Sequence, residues 1–222
     1  MSARDRILAK LKAGAPSTAG DSPDIAGWYA RHRTPESSMD KAKRFRHFIE
    51  LAHAEVHPVA RGGWLGKLHE VLAARRIGSL LVAPGTAHGA RAQAELPALG
   101  IACRDYGQPI ESWKAAMFND TPAALTAGRA AIAETGTLIL WPDEHEPRLM
   151  SLAPPLHVVL LDSANIYNTF FEATQVEGWK DGLPTNALLI SGPSKTADIQ
   201  QTLAYGAHGP KELVVLLIGD EQ

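Results

Sequence analysis

At 222 residues and 23.8 kDa the chain suits one ordinary domain with an N-terminal appendage, and its 45% apolar and 21% charged content excludes disorder, collagen-like repeats and coiled coil. A net charge of −2 and a pI near 6.5 leave no global nucleic-acid footprint. The single cysteine, Cys103, excludes an internal disulfide and cannot by itself hold an iron–sulfur cluster or a structural zinc.

The longest clear apolar run, Leu213–Ile218, falls far short of the roughly 20 residues of a membrane helix. The charged opening (Arg4, Asp5, Arg6) lacks the apolar stretch of a secretory signal, so a cytoplasmic chain is expected. Charge is unevenly placed: residues 1–61 carry 11 Lys/Arg against 7 Asp/Glu, and residues 62–222 carry 11 against 17. That pattern predicts a basic N-terminal arm on an acidic body.

In chain order, residues 3–12 predict a short helix with Ile7, Leu8 and Leu11 as its apolar stripe, and Gly14 through Pro23 a connector. Thr34-Pro35-Glu36 opens a second helix, with Phe45, Phe48, Ile49 and Ala52 on one face and Lys41, Lys43, Arg44 and Arg46 beside them. Residues 1–54 therefore read as a helical extension packing outside the core, and 55–222 as an α/β domain. From residue 55 strands alternate with helices. Val56–Ala60, Ser79–Ala83, Ile101–Arg104, Ala123–Gly128, Thr137–Trp141, Leu156–Leu161, Ala187–Ile190 and Leu213–Ile218 predict strands. Leu65–Arg75, His88–Leu99, Ile166–Gly178 and Thr196–Tyr205 predict helices. Several strands are apolar on both faces, which predicts a mostly parallel central sheet flanked by helices. Such sheets bind ligands beyond the carboxyl ends of their strands, which points to the loops after residues 83, 141, 161 and 190.

The most informative segment is Ser191-Gly192-Pro193-Ser194-Lys195-Thr196, after a strand and at the start of an expected helix. A helix N-terminus with the Ser194 and Thr196 hydroxyls and Lys195 would form an anion site; the same residues also read as a capped turn with a solvated lysine. The spacing is not that of a Walker A loop. Gly206 would end the helix, and His208, between Ala207 and Gly209, is either a turn residue or a proton donor beside the anion. In Glu134-Thr135-Gly136-Thr137 the carboxylate could be a base or nucleophile, or lie in a β-turn with Gly136 at positive φ. Arg129 and Arg148 flank it and could pair with Glu134 or with an anionic ligand. His157, in an apolar run, reads as a core histidine. His53 and His57 have a metal-compatible spacing but no third ligand, so no metal site is expected. Asp143-Glu144-His145-Glu146 reads as a solvated loop, and Pro84-Gly85-Thr86 as a strand-end turn with possible substrate contact.

Four ordered motifs, Ala133-Glu134-Thr135-Gly136-Thr137, Arg148…Ser151-Leu152 with Pro154-Pro155-Leu156-His157-Val158, Ser191–Ile199 and Gly206…His208-Gly209-Pro210, together resemble the lactate-utilisation protein C family of LUD proteins. Ala153 departs from the larger aliphatic residue expected there. The resemblance implies a fold like the NagB/RpiA/CoA-transferase superfamily with a helical N-terminal extension. It also implies a role in oxidising L-lactate to pyruvate beside partner proteins that carry the iron–sulfur centres. Analogy to the glutamate nucleophile of CoA transferases draws attention to Glu134, but only as analogy. The candidate catalytic pair is then Glu134 and His208. The candidate ligand contacts are Thr135, Gly136, Arg148, Ser191, Gly192, Ser194, Lys195 and Thr196, expected around one cleft that takes a small carboxylate or a phosphorylated cofactor. No cofactor has a signature: nucleotide, CoA and flavin stay open. With no cysteine cluster and no Gly-x-Gly-x-x-Gly loop, the chain alone is not expected to oxidise lactate. A non-catalytic assembly or regulatory module is the alternative.

Overall fold

The computed structural model describes residues 2–14, 23–33, 35–107, 109–197 and 203–219. Two compact units divide the chain, one ending at Pro35 and the other starting at Glu36. In the first unit, α1 (Ala3–Ala13) opens with a reciprocal cap between Ser2 and Asp5. There α2 (Ile25–His32) is capped by the Asp24 carboxylate, which accepts from the Gly27 N–H at 2.7 Å.

The second unit opens with α3 (Ser38–Leu51), whose N-cap is Ser37; Thr34, the expected cap, lies outside the described residues. The chain continues through β1 (Glu55–Ala60), α4 (Trp64–Ala74), β2 (Ser79–Val82), α5 (Ala87–Glu95), β3 (Ala102–Asp105), α6 (Ile110–Asn119), β4 (Ala123–Ala127), β5 (Ala130–Ile132) and β6 (Thr137–Leu140). A 3-10 turn at Arg148–Ser151 leads into β7 (Leu156–Asp162), followed by β8 (Ile166–Tyr167), α7 (Phe170–Val176), β9 (Leu188–Ile190), β10 (Lys195–Ala197), β11 (Leu203–Tyr205) and β12 (Glu212–Gly219).

The main sheet has the order β1-β12-β7-β4-β2-β3, and every neighbouring pair in it is parallel. Its central strands are apolar on both faces because both are covered. Leu156, Val158, Val214 and Leu216 point to α4 and α5, whereas Val159, Leu161, Val215 and Leu217 point to α3 and β6. Farther along that second face, Leu81 and Ala124 meet Met117 of α6. A smaller sheet, β8-β5-β6-β9, completes the second layer, with β5/β6 and β6/β9 antiparallel.

Two expectations about element placement change. The helix α3, expected outside the core, buries Phe45 and Ile49 completely beside Val159 and Val215. Its other large apolar residues, Met39, Phe48 and Leu51, stay exposed, but the two buried ones tie α3 to the body, in the unit that starts at Glu36. Residues 166–178 begin as a strand, because Ile166 and Tyr167 pair with β5, and become helical only at Phe170.

The helix expected over Thr196–Tyr205 is replaced, in its described parts, by the antiparallel pair β10/β11. The ends of this hairpin are tied across the chain: the Ser194 N–H donates to the Pro210 carbonyl and the Gly206 N–H to the Ser194 carbonyl, both at 2.9 Å. Backbone groups that would have capped a helix are thus used in strand-like pairing, and long-range pairing overrides local helix propensity. Gly206 is a turn residue after β11 rather than the end of a helix.

Candidate functional site

Ser191, Gly192, Ser194 and His208 do come together, around a cavity of about 190 Å³. Its floor is His157 and Leu213, which are register partners near the starts of β7 and β12. The site therefore sits at the amino ends of the central strands, not at the carboxyl ends where ligands of such sheets are expected. The cause is β9: it belongs to the smaller sheet, and its last residue delivers Ser191 over His157.

The Glu134–Gly136 turn reaches this site through hydroxyl groups. Thr135 Oγ1 and Thr137 Oγ1 lie 2.7 Å apart, and Thr137 Oγ1 and Ser191 Oγ another 2.7 Å. Both loops also rest on the end of α3. Gly136 has φ +60° and a side chain there would strike the Ile49 nitrogen at 2.4 Å; at Gly192, φ +144°, it would meet the Ala52 carbonyl at 2.7 Å. Only glycine permits both the conformation and the approach at these two positions.

Other expected members stand apart. Glu134 is not a lining residue; its N–H donates to the Asn168 carbonyl at 3.1 Å, and Arg44 reaches the Asn168 side chain. Gly136 at positive φ matches the turn reading of that segment. Arg148 is exposed and touches the site only through its carbonyl, which accepts from the Ser151 hydroxyl of the cavity wall. Lys195 and Thr196 lie in β10, outside the lining, so the helix N-terminus invoked for anion binding is absent from these described residues.

His157 is the residue whose place the sequence understated. Its side chain is fully buried in the cavity floor. Nε2 lies 2.8 Å from Thr126 Oγ1, and Nδ1 has no partner among the described residues. Burial holds its pKa down at about 3, against an ordinary 6.5, so the ring is neutral. The prolines that precede β7 were legible, but nothing local says that one ring nitrogen is left unpaired.

The carboxyl end of the sheet tells a different story. The chain reverses its direction of travel between β2 and β4, which makes the crevice beyond them the usual ligand position. Here the 142–147 loop fills it. Glu146 accepts from the Ala127 N–H with both oxygens at 3.2 Å, and His88 Nε2 lies 2.5 Å from Glu146 Oε1. Thr86, in turn, caps α5 and lies 3.2 Å from the same His88 nitrogen. The His88 and Glu146 side chains are 17% and 15% exposed, so this part of the loop is not solvated as expected. About 10 Å³ remains open, room for one water at most. A wider groove of about 680 Å³ lies between α3 and the ends of β1 and β12, with Lys43 and Arg46 on its wall. Among the described residues no group of three or more His, Cys, Asp or Glu could hold a metal ion, and no helix is long and apolar enough to cross a membrane.

Comparison with known proteins agrees with this fold. The LUD domain family model matches residues 42–218. An uncharacterised protein of Neisseria meningitidis serogroup B is 39% identical over 98% of this chain and 94% of its own. Lactate utilization protein C of Macrococcus caseolyticus is 27% identical over 53% of this chain and 58% of its own, and that of Bacillus subtilis 26% over 51% and 52%. These alignments thus span about half of each lactate utilization protein C. The crystal structure of a DUF162 family protein from Deinococcus radiodurans superimposes with a TM-score of 0.57 at 22% identity, covering 83% of this chain and all of that one. The match to most of the body, together with a full-length relative, establishes that the chain belongs to the LUD domain family.

Proposed function

We propose that the chain is a component of an L-lactate utilisation system, oxidising L-lactate to pyruvate together with iron–sulfur partner proteins, and that its amino-end cavity takes a small carboxylate. The role is supported by the relatives named lactate utilization protein C. The observation that carries the ligand class is the cavity itself. At about 190 Å³ it is smaller than the roughly 300–1,000 Å³ of pockets for drug-sized ligands, which favours a small carboxylate over a phosphorylated cofactor. Its rim holds the Ser191 and Ser194 hydroxyls and the His208 imidazole, groups that can donate to a carboxylate.

Electron transfer belongs to the partners in this reading. Cys103 is the only cysteine, and burial raises its pKa, which keeps the thiol protonated and a poor metal ligand. Lactate oxidation followed with an artificial acceptor tests the division of labour. The isolated chain is expected to give no turnover, and its addition to the iron–sulfur partners is expected to raise theirs. Turnover by the isolated chain, or partners indifferent to its presence, contradicts the reading.

A further inference from the structure

The groove between α3 and the edge of the main sheet plays no part in the proposed lactate role, yet it has the make-up of a ligand site. It holds about 680 Å³, within the roughly 300–1,000 Å³ of small-molecule pockets. It lies beyond the carboxyl ends of three neighbouring strands, the usual ligand position of a parallel sheet: Ala60 ends β1, Gly219 ends β12 and Ser163 follows β7. Its lining residues on α3 run from Ser38 to Arg46, a rise of about 12 Å, which sets the length of ligand the helix can cover.

The chemistry of the lining narrows the occupant. Met39, Ala42, Pro58, Val59 and Leu217 make most of it apolar. No aromatic side chain is among the lining residues, so a nucleoside base or other flat ring finds nothing to stack on. No Asp or Glu lines the groove either, whereas Lys43 and Arg46 do. Arg46 pairs with Glu50 at 2.8 Å, and Lys43 has no carboxylate partner among the described residues. One uncompensated positive charge beside an apolar trough complements one negative charge on an apolar tail, and is too little for a polyphosphate. We infer that this groove binds a free fatty acid of medium length, with its tail between α3 and β1 and its carboxylate at Lys43. This ligand is additional to the small carboxylate of the amino-end cavity.

Calorimetric titration of the full chain with hexanoate, octanoate and 1-octanol tests this. Two further buried methylenes should make octanoate bind about 15-fold more tightly than hexanoate. Loss of the charge should make 1-octanol bind about fivefold more weakly than octanoate, the upper range for a partly exposed ion pair. Lys43→Gln should bring octanoate down to the level of 1-octanol and leave the alcohol unchanged, and Lys43→Arg should keep the preference. Lys43 is exposed, so these variants leave the core untouched. Saturating L-lactate should not alter octanoate affinity. Displacement of octanoate by lactate puts the acid in the amino-end cavity and overturns the groove site. Equal affinity for hexanoate and octanoate overturns the buried tail, and indifference to Lys43→Gln overturns the carboxylate contact. Retention on phosphatidylglycerol vesicles by a chain that binds no free octanoate makes the groove a lipid-surface contact and overturns the free-acid ligand. Amide shifts at Met39, Ala42, Val59 and Gly219 on adding octanoate, with Ser191 and Gly192 unmoved, give a second measure that needs no variant.

Discussion

The two ends of the main sheet are built from similar residue types and put to different uses. At the carboxyl end a histidine and a carboxylate, His88 and Glu146, satisfy each other and close the crevice. At the amino end a histidine and hydroxyls, His157 with Ser191 and Ser194, surround space and leave one ring nitrogen unpaired. Chemistry-bearing side chains in themselves therefore say little about where a ligand goes. What separates the two is room: about 10 Å³ stays open in the carboxyl-end crevice and about 190 Å³ in the amino-end cavity.

The strongest way to sharpen this contrast is pH. His157 has a lowered pKa in the folded chain, near 3 against 6.5, so the unfolded state binds the extra proton first. Its contribution to stability is complete above pH 6.5 and is lost as pH falls toward 3, by up to about 5 kcal/mol. His157→Phe should flatten that part of the stability profile measured by urea denaturation. An unchanged slope between pH 6.5 and 4 would mean that the ring is not buried as described.

A smaller effect is expected at the opposite end. Glu146→Ala strands His88 and the Ala127 N–H in a half-buried crevice and should cost about 1–3 kcal/mol in the same assay. Carboxylate affinity at the amino end should stay within about twofold. If affinity collapses with Glu146→Ala, the two ends are not independent. The smallest change is Ser191→Ala, which removes the last hydroxyl from the Thr135–Thr137–Ser191 chain. It should cost about 0.5–1.5 kcal/mol of stability and weaken carboxylate binding; unaltered binding would remove Ser191 from the rim.

Much of the fold could be read from the chain, for a physical reason. The strands β2, β4, β7 and β12 lie in a sheet covered on both faces, so their apolar runs are strong local signals. Residues Phe45 and Ile49 were legible as one helical face, but not that the face belongs to the core, because burial depends on partners in β7 and β12. The hairpin β10/β11 was illegible for the same kind of reason, since its ends are held by bonds to Pro210 and Ser194 and not by local propensity. Of the site, Ser191, Gly192, Ser194 and His208 were found by their glycine- and hydroxyl-rich pattern. Glu146 was hidden in a run of loop charges whose key partner, His88, is 58 residues away. The role of His157 was hidden because a satisfied and a half-satisfied core histidine look identical in sequence.

The most direct test of the central claim is amide and histidine-ring chemical-shift mapping of the full chain with L-lactate added to saturation. The amino-end site predicts shifts at Ser191, Gly192, Ser194, His208 and the His157 ring, with Thr86, His88 and Glu146 unmoved. Shifts confined to the Thr86–His88–Glu146 crevice, with His157 silent, would contradict it.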